Sequence, residues 1–201
     1  MTPTQEASNA VTMLLCTMVF AYETAIGWPN PWLVGLLCGS VIHLPVSVGY
    51  HLRAACVRDV DPCKGDLCRL DQSMIHVSGA VFAFVLSGGS VPYTAAHLCF
   101  GVFAISRIWP EESERRWVLA AVSTLGWMLP MAARGYQVEC AAAAVTFYSG
   151  GLCFTRGINE RYLYGWGHSV FHVLAACTSH CMCATVRASP LYPSAWCGST
   201  S

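Results

Sequence analysis

Residues 10–49 read AVTMLLCTMVFAYETAIGWPNPWLVGLLCGSVIHLPVSVG, and this stretch contains one acidic residue, Glu23, and no Lys or Arg. A soluble domain seldom leaves so long a stretch nearly uncharged, because about a quarter of its residues carry charge. In the whole chain of 201 residues, 55% are hydrophobic and 11% are charged. A water-soluble helical bundle of this composition would have almost no polar surface. The composition therefore predicts an integral membrane protein.

Seven apolar runs can be marked along the chain, and turn-forming or charged residues separate them. Each run is close to the roughly 20 residues that a helix needs to cross the hydrocarbon core of a bilayer. The runs lie at 10–28, 32–52, 71–89, 91–109, 117–133, 138–155 and 163–186. We therefore predict an all-α fold, a bundle of seven transmembrane helices that forms one membrane domain over residues 1–187. Residues 188–201 are predicted to be a disordered C-terminal tail.

The Lys and Arg residues are distributed unequally between the two sides of this predicted bundle. The side opposite the N-terminus carries only Arg134 and Arg187. The side shared by the N-terminus and the second, fourth and sixth loops carries Arg53, Arg58, Lys64, Arg69, Arg107, Arg115, Arg116, Arg156 and Arg161. By the positive-inside rule, the N-terminus is expected to be cytoplasmic and the C-terminus outside or lumenal. The first run lacks the positively charged start of a signal peptide, so we expect it to be retained.

Charge and cysteine content limit the possible partners. The formal net charge is zero and there is no basic tract, which argues against a nucleic-acid partner and leaves membrane lipid as the expected one. Most of the twelve cysteines lie inside apolar runs, where Cys behaves as a small hydrophobic residue. Cys56, Cys63 and Cys68 in the second loop are candidates for pairing or metal binding, although their spacing does not match a zinc knuckle. The role of loop 56–68, and the choice between plasma membrane and endomembrane, stay open.

Histidines in two of the runs are candidates for metal ligands. His168 and His172 are four residues apart in the seventh run, which places both rings on one face of a helix, one turn apart. A catalytic zinc ion usually has three protein ligands and one open position. We expect His51, at the end of the second run, to be the third ligand because it should lie at the same depth. His43 is the alternative, but we expect it to lie deeper than Asp71 can reach.

Two further polar residues are expected beside these histidines. Asp71 starts the third run, and Ser47 lies one turn before His51 on the same helical face. Either residue is suited to hydrogen-bond or deprotonate a water at an open zinc position. The alternative is that histidines in a membrane helix serve only as polar contacts between helices. We expect that role for the remaining histidines of the spans, His76, His97 and His180. The role of Glu23, the acid in the first run, stays open.

Several segments resemble, in chain order, the signature segments of the hemolysin III and progestin/adipoQ receptor family. They are SVGYH at 47–51, RLDQSMI at 69–75, YSGGLCFT at 148–155, NER at 159–161 and GHSVFH at 167–172, and EASNAVT at 6–12 is also similar. Met13 stands where the family usually has a His, and a Cys- and Asp-rich insertion precedes Asp71. The resemblance implies a seven-helix bundle that holds zinc near the cytoplasmic side. It places the zinc on His51, His168 and His172, with Asp71 and Ser47 beside the zinc-bound water.

The resemblance also suggests a function, because the wider superfamily includes alkaline ceramidases, which hydrolyse the amide bond of a sphingolipid. The leading hypothesis is an integral membrane zinc-dependent hydrolase of a lipid amide or ester, with Asp71 and Ser47 as catalytic residues. The second hypothesis is a receptor or membrane-organising protein with a structural zinc, for which His43 is the obvious fourth ligand. A transporter or channel has less support, because the polar residues concentrate at one end of the spans.

Overall fold

The computed structural model describes residues 1–57, 65–110 and 115–189, apart from the side chains of Arg115 and Arg156. Within these ranges there are eight helices and no strand, which confirms the predicted all-α class. The helices are α1 (Pro3–Ile26), α2 (Pro31–Cys56), α3 (Asp66–Leu86), α4 (Val91–Ile108), α5 (Arg115–Ala133), α6 (Gln137–Phe154), α7 (Arg156–Arg161) and α8 (Gly167–Ala188).

The seven long helices coincide with the seven predicted runs, and the short α7 lies in the predicted sixth loop. Four of the helices, α1, α2, α4 and α8, are long and apolar enough to cross a membrane. They indicate a membrane protein, and the crossing of the bilayer by all seven long helices stays a prediction. Two helices begin five or more residues before their runs. Helix α1 starts at Pro3, where Thr2 and Gln5 form a reciprocal capping box, and α3 starts at Asp66.

The chain termini and the second loop fall partly within the described residues. Helix α8 ends at Ala188, and the hydroxyl of Ser189 is buried and accepts a hydrogen bond from Arg134. The rest of the predicted tail, residues 190–201, lies outside the described residues. In the second loop, Cys56 has an exposed free thiol, whereas Cys68 is buried. Cys63, the third cysteine considered as a metal ligand or disulfide partner, also lies outside the described residues.

Helix α1 lies at the centre of the part of the bundle that carries the candidate ligands. It packs against α2 and α8, while α2 packs against α3 and α8 packs against α6. Phe20 of α1 joins a buried core with Leu36, Leu86 and Met182, which come from α2, α3 and α8. In water, burying apolar surface stabilises a fold by about 25 cal/mol for each Å² buried, so side chains of this size would contribute strongly to helix packing. Within lipid, close packing and polar contacts replace that driving force.

A polar clasp joins α1 to α8 at the end of the bundle away from the chain's N-terminus. Glu23 is 2% exposed, and its Oε1 lies 2.8 Å from Nδ1 of His180. Its Oε2 lies 2.5 Å from a guanidinium nitrogen of Arg187. Glu23 therefore faces the interior of the bundle, and His180 makes the interhelical polar contact expected from the sequence. The carboxylate can be buried because both of its oxygens have a partner.

We expect the substitution Glu23→Ala to lower the free energy of unfolding by about 1–3 kcal/mol, because it leaves His180 and Arg187 without their partner. Both of those side chains are partly exposed, so they regain some solvation and limit the loss. Thermal unfolding in detergent measures the effect. The control is Asp66→Ala, which removes an acid that is 83% exposed. Equal loss in the two variants would contradict a stabilising role for the clasp.

Candidate metal centre

Three imidazole rings from two helices meet at the end of the bundle where α1 begins. The ring centroids are 4.7 Å apart for His51 and His168, 4.6 Å for His168 and His172, and 5.8 Å for His51 and His172. One ring nitrogen of each residue lies within 4.8 Å of the other two. Tetrahedral zinc with Zn–N bonds of about 2.0–2.1 Å needs nitrogens roughly 3.3 Å apart. The cluster can therefore hold a metal ion after a small inward movement of the rings.

The local sequence explains how the three rings reach one point. His168 and His172 lie in the first two turns of α8 and project from the same face, since a helix turns once in 3.6 residues. His51 lies near the end of α2, and both α2 and α8 pack against α1, which brings His51 next to the start of α8. The side chains of His51 and His172 are almost fully buried, with exposures of 0% and 3%. The cluster is therefore shielded from water.

The hydrogen bonds of these rings leave nitrogen lone pairs without a partner. Nδ1 of His51 lies 2.8 Å from Oε2 of Glu6, and an ionised carboxylate only accepts, so this nitrogen carries the proton. Nε2 of His51 is then a buried acceptor, and it has no hydrogen-bond partner among the described residues. Nδ1 of His168 is also buried and has no hydrogen-bond partner among the described residues. Buried polar atoms without a partner are rare and unfavourable, and a cation between the rings would satisfy them. The residues present thus fit a metal ion.

Asp71 contacts His43, which corrects one expectation from the sequence. Oδ1 of Asp71 lies 2.9 Å from Nε2 of His43, so the expectation that His43 lies too deep for Asp71 to reach is wrong. The reason is the start of α3. This helix begins at Asp66, five residues before the predicted run, and Asp71 consequently lies in its second turn, deeper in the bundle. Among the described residues, His43 does not belong to the three-histidine group.

A cavity of about 160 Å³ connects the metal ligands to the predicted catalytic residues. His168 and His172 line it together with Ser47, Asp71 and His43. Its other walls are mainly apolar and include Phe20, Phe82, Trp127, Phe147, Phe171 and Met182. Met182 follows His172 by ten residues in α8, which corresponds to about 15 Å along the helix. The cavity therefore joins a polar end to a long apolar end.

Sequence reasoning assigned no role to three polar residues at the start of α1. Glu6 contacts His51, and the hydroxyl of Thr12 lies 3.0 Å from Nδ1 of His172. Oδ1 of Asn9 accepts a hydrogen bond of 2.7 Å from the hydroxyl of Ser169. Their spacing of three residues places all three on one helical face, and that period is the signal that indicates an inward-facing polar strip. The predicted first run began only at residue 10, so Glu6 and Asn9 fell outside it and the period was not recognised.

Comparison of the chain with protein-family models, with curated proteins and with solved structures finds no significant match. The resemblance to the hemolysin III and progestin/adipoQ receptor family therefore rests on the quoted segments and stays a prediction. The metal site rests instead on the geometry of His51, His168 and His172.

The position of the metal ligands depends on Gly167, the first residue of α8. A Cβ atom at this position would lie 2.0 Å from the carbonyl oxygen of Cys153 and 2.8 Å from Oδ1 of Asn159, which accepts a hydrogen bond from the Gly167 amide. We expect Gly167→Ala to displace the start of α8 and with it His168. Zinc bound per chain should fall, and the free energy of unfolding should drop by about 1–3 kcal/mol.

Gly151 offers a matched control, because it lies in the neighbouring helix α6 and a Cβ atom there would meet nothing within 4 Å. Metal analysis and thermal unfolding of the purified Gly167→Ala and Gly151→Ala variants measure both effects. Full zinc content in Gly167→Ala would show that the start of α8 does not position the ligands.

Proposed function

We propose that this protein is an integral membrane zinc-dependent hydrolase of a lipid amide or ester, with a ceramide-like substrate. The observation that carries the proposal is a cluster of three imidazoles, two of which line a mainly apolar cavity together with Asp71 and Ser47. Catalytic zinc sites usually combine three protein ligands with an open position, and among the described residues only three candidate ligands converge here.

The proposed topology is a seven-transmembrane bundle of the hemolysin III and progestin/adipoQ receptor type. Three long helices are not among the four apolar spans: α3, α5 and α6. They have 21, 19 and 18 residues, which is close to the length needed to cross a bilayer. Asp71 lowers the hydropathy of α3, and intramembrane ionisable residues usually serve function. The excess of Lys and Arg on one side supports a cytoplasmic N-terminus and a C-terminus outside or in the lumen.

The residues of the site have different roles in the proposed reaction. His51, His168 and His172 would hold the ion. When bound, zinc supplies a Lewis acid for a carbonyl group and makes a water more acidic. Oδ1 of Asp71 is engaged by Nε2 of His43, which orients the carboxylate and leaves its second oxygen to accept a proton from the attacking water. The hydroxyl of Ser47 lines the same cavity and donates a hydrogen bond to the water or to the developing oxyanion.

The apolar part of the cavity supports a lipid substrate. Aromatic side chains of Phe82, Trp127 and Phe147 line it, and they suit a hydrocarbon chain better than a hydrated molecule. Near this end of the bundle, Nε2 of Gln5 joins α1 to the α7–α8 loop by donating a hydrogen bond of 2.7 Å to the carbonyl of Tyr164. A substrate that reaches the site from within the bundle, with its amide or ester group at the polar end, matches this shape.

The second candidate is a receptor or membrane-organising protein in which zinc only ties helices together. Such a site would be closed by a fourth protein ligand, and His43 is the candidate. Nε2 of His43 contacts Asp71 instead, which favours the open, catalytic arrangement.

Two variants test the proposed function. We expect His168→Ala to lose zinc, because one of three ligands is removed. We expect Asp71→Asn to keep zinc and to lower hydrolysis of the lipid by about 10²–10⁴-fold, because the amide cannot accept the proton. Zinc per chain is measured by elemental analysis, and turnover is measured with ceramide and with a fatty-acid ester in detergent micelles.

The control is His180→Ala, which removes a histidine that is 60% exposed at the opposite end of α8. It should keep both zinc and turnover. A parent protein without stoichiometric zinc would rule out both functions. A parent with zinc and no turnover of either lipid would favour the structural role.

A further inference from the structure

Helix α1 carries two buried carboxylates, and each is bonded to an imidazole of another helix. Glu6 contacts Nδ1 of His51, and Glu23 contacts Nδ1 of His180, both at 2.8 Å. Each Glu residue is 2% exposed. The two pairs therefore have the same types of side chain, the same distance between oxygen and nitrogen, and an equally buried carboxylate. They lie at opposite ends of the same helix.

The two pairs differ in how the negative charge is balanced. The second oxygen of Glu23, Oε2, forms no hydrogen bond of good geometry among the described residues, but it is ion-paired with the guanidinium of Arg187 at 2.5 Å. The second oxygen of Glu6, Oε1, is buried and has no hydrogen-bond partner, and no Lys or Arg of the described ranges lies within 4.0 Å of its carboxylate. Burying an ionised carboxylate without a positive partner is highly unfavourable. The Glu6 pair thus lacks a counter-charge that the Glu23 pair has.

A cation in the metal site would supply the positive charge that the Glu6 carboxylate lacks. The ring nitrogen of His51 that stays unprotonated is Nε2, and this atom has no hydrogen-bond partner among the described residues. Metal-bound histidines commonly donate their other N–H to a carboxylate, which fixes the ring and strengthens its bond to the ion. We propose, on the basis of the zinc site in the proposed function, that Glu6 is a positioning residue: it fixes the tautomer and orientation of His51 and balances the charge of the bound cation.

Thr12 performs the corresponding task for His172 without a charge. Its hydroxyl lies 2.9 Å from the carbonyl oxygen of Ser8 and 3.2 Å from that of Asn9, so its single proton is donated to the backbone. The hydroxyl oxygen then accepts from Nδ1–H of His172 at 3.0 Å, which leaves Nε2 of that ring to bind metal. Helix α1 therefore contributes none of the three ligands but orients two of them.

This role separates Glu6 from Glu23 in a way that a purely structural role does not. If Glu6 only joined α1 to α2, removal of its charge would lower stability and leave metal binding unchanged, as expected for Glu23. If Glu6 positions His51, the same substitution changes the metal affinity and the electronic environment of the ion. Gln is the suitable replacement, because its amide oxygen still accepts the hydrogen bond from Nδ1 while the charge is lost.

The experiment uses the full chain purified in detergent and compares Glu6→Gln, Thr12→Val and the matched control Glu23→Gln. The dissociation constant for zinc is measured by competition with a chromophoric chelator, and the visible absorption of the Co²⁺-substituted protein reports ligand geometry. We expect Glu6→Gln to bind zinc about 10- to 100-fold more weakly and to shift the cobalt bands. Thr12→Val should show a smaller loss, and Glu23→Gln should bind zinc as the parent does, although it unfolds at a lower temperature.

Three outcomes would overturn the inference. The first is parental zinc affinity and an unchanged cobalt spectrum in a folded Glu6→Gln. The second is equal weakening by Glu23→Gln, because a general loss of stability would then explain both. The third applies if Glu6→Gln does not fold: a folded Thr12→Val with parental affinity would show that α1 does not orient the ligands. A parent that binds no zinc ends the proposed function and the inference together, whereas a parent with zinc but no turnover leaves these metal measurements decisive.

Discussion

The burial of ionisable side chains between apolar helices is the constraint on which the rest of this structure depends. Each of these groups would be costly without a partner, because the surroundings supply no water to hydrate it. The partners come from other helices: Glu6 joins α1 to α2, Thr12 joins α1 to α8, and the pair of His43 and Asp71 joins α2 to α3. The contacts that align the helices are thus the same contacts that shape the candidate site.

Helix α1 shows how one element serves stability at one end and chemistry at the other. At its C-terminal end, Glu23 is ion-paired with His180 and Arg187. At its N-terminal end, Glu6 contacts His51 of the three-histidine cluster, and its other oxygen has no hydrogen-bond partner among the described residues. An arrangement that leaves both an anion and several lone pairs unsatisfied is unfavourable by itself and becomes favourable with a cation.

The position of the site within the bundle is compatible with the lipid hydrolysis that we propose. The ligands lie at one end, near the beginnings of α1 and α8, and the cavity extends from them past Phe147 towards Met182. A polar reacting group and an apolar chain would then both find matching surroundings. His43 adds to this picture, since its contact with Asp71 orients the carboxylate and removes His43 from the set of candidate ligands.

The sequence by itself determined the helical class, the number of long helices and the histidine pair of α8, because these follow from local hydrophobicity and from the fixed period of a helix. Comparison of depths along the predicted spans also led to His51. Only the tertiary structure decided that Glu6 and Thr12 contact the rings and that Asp71 reaches His43. Those contacts depend on where α1 and α3 begin and on the rotation of each helix about its axis. In spans that are apolar on nearly every face, the sequence period specifies that rotation only weakly.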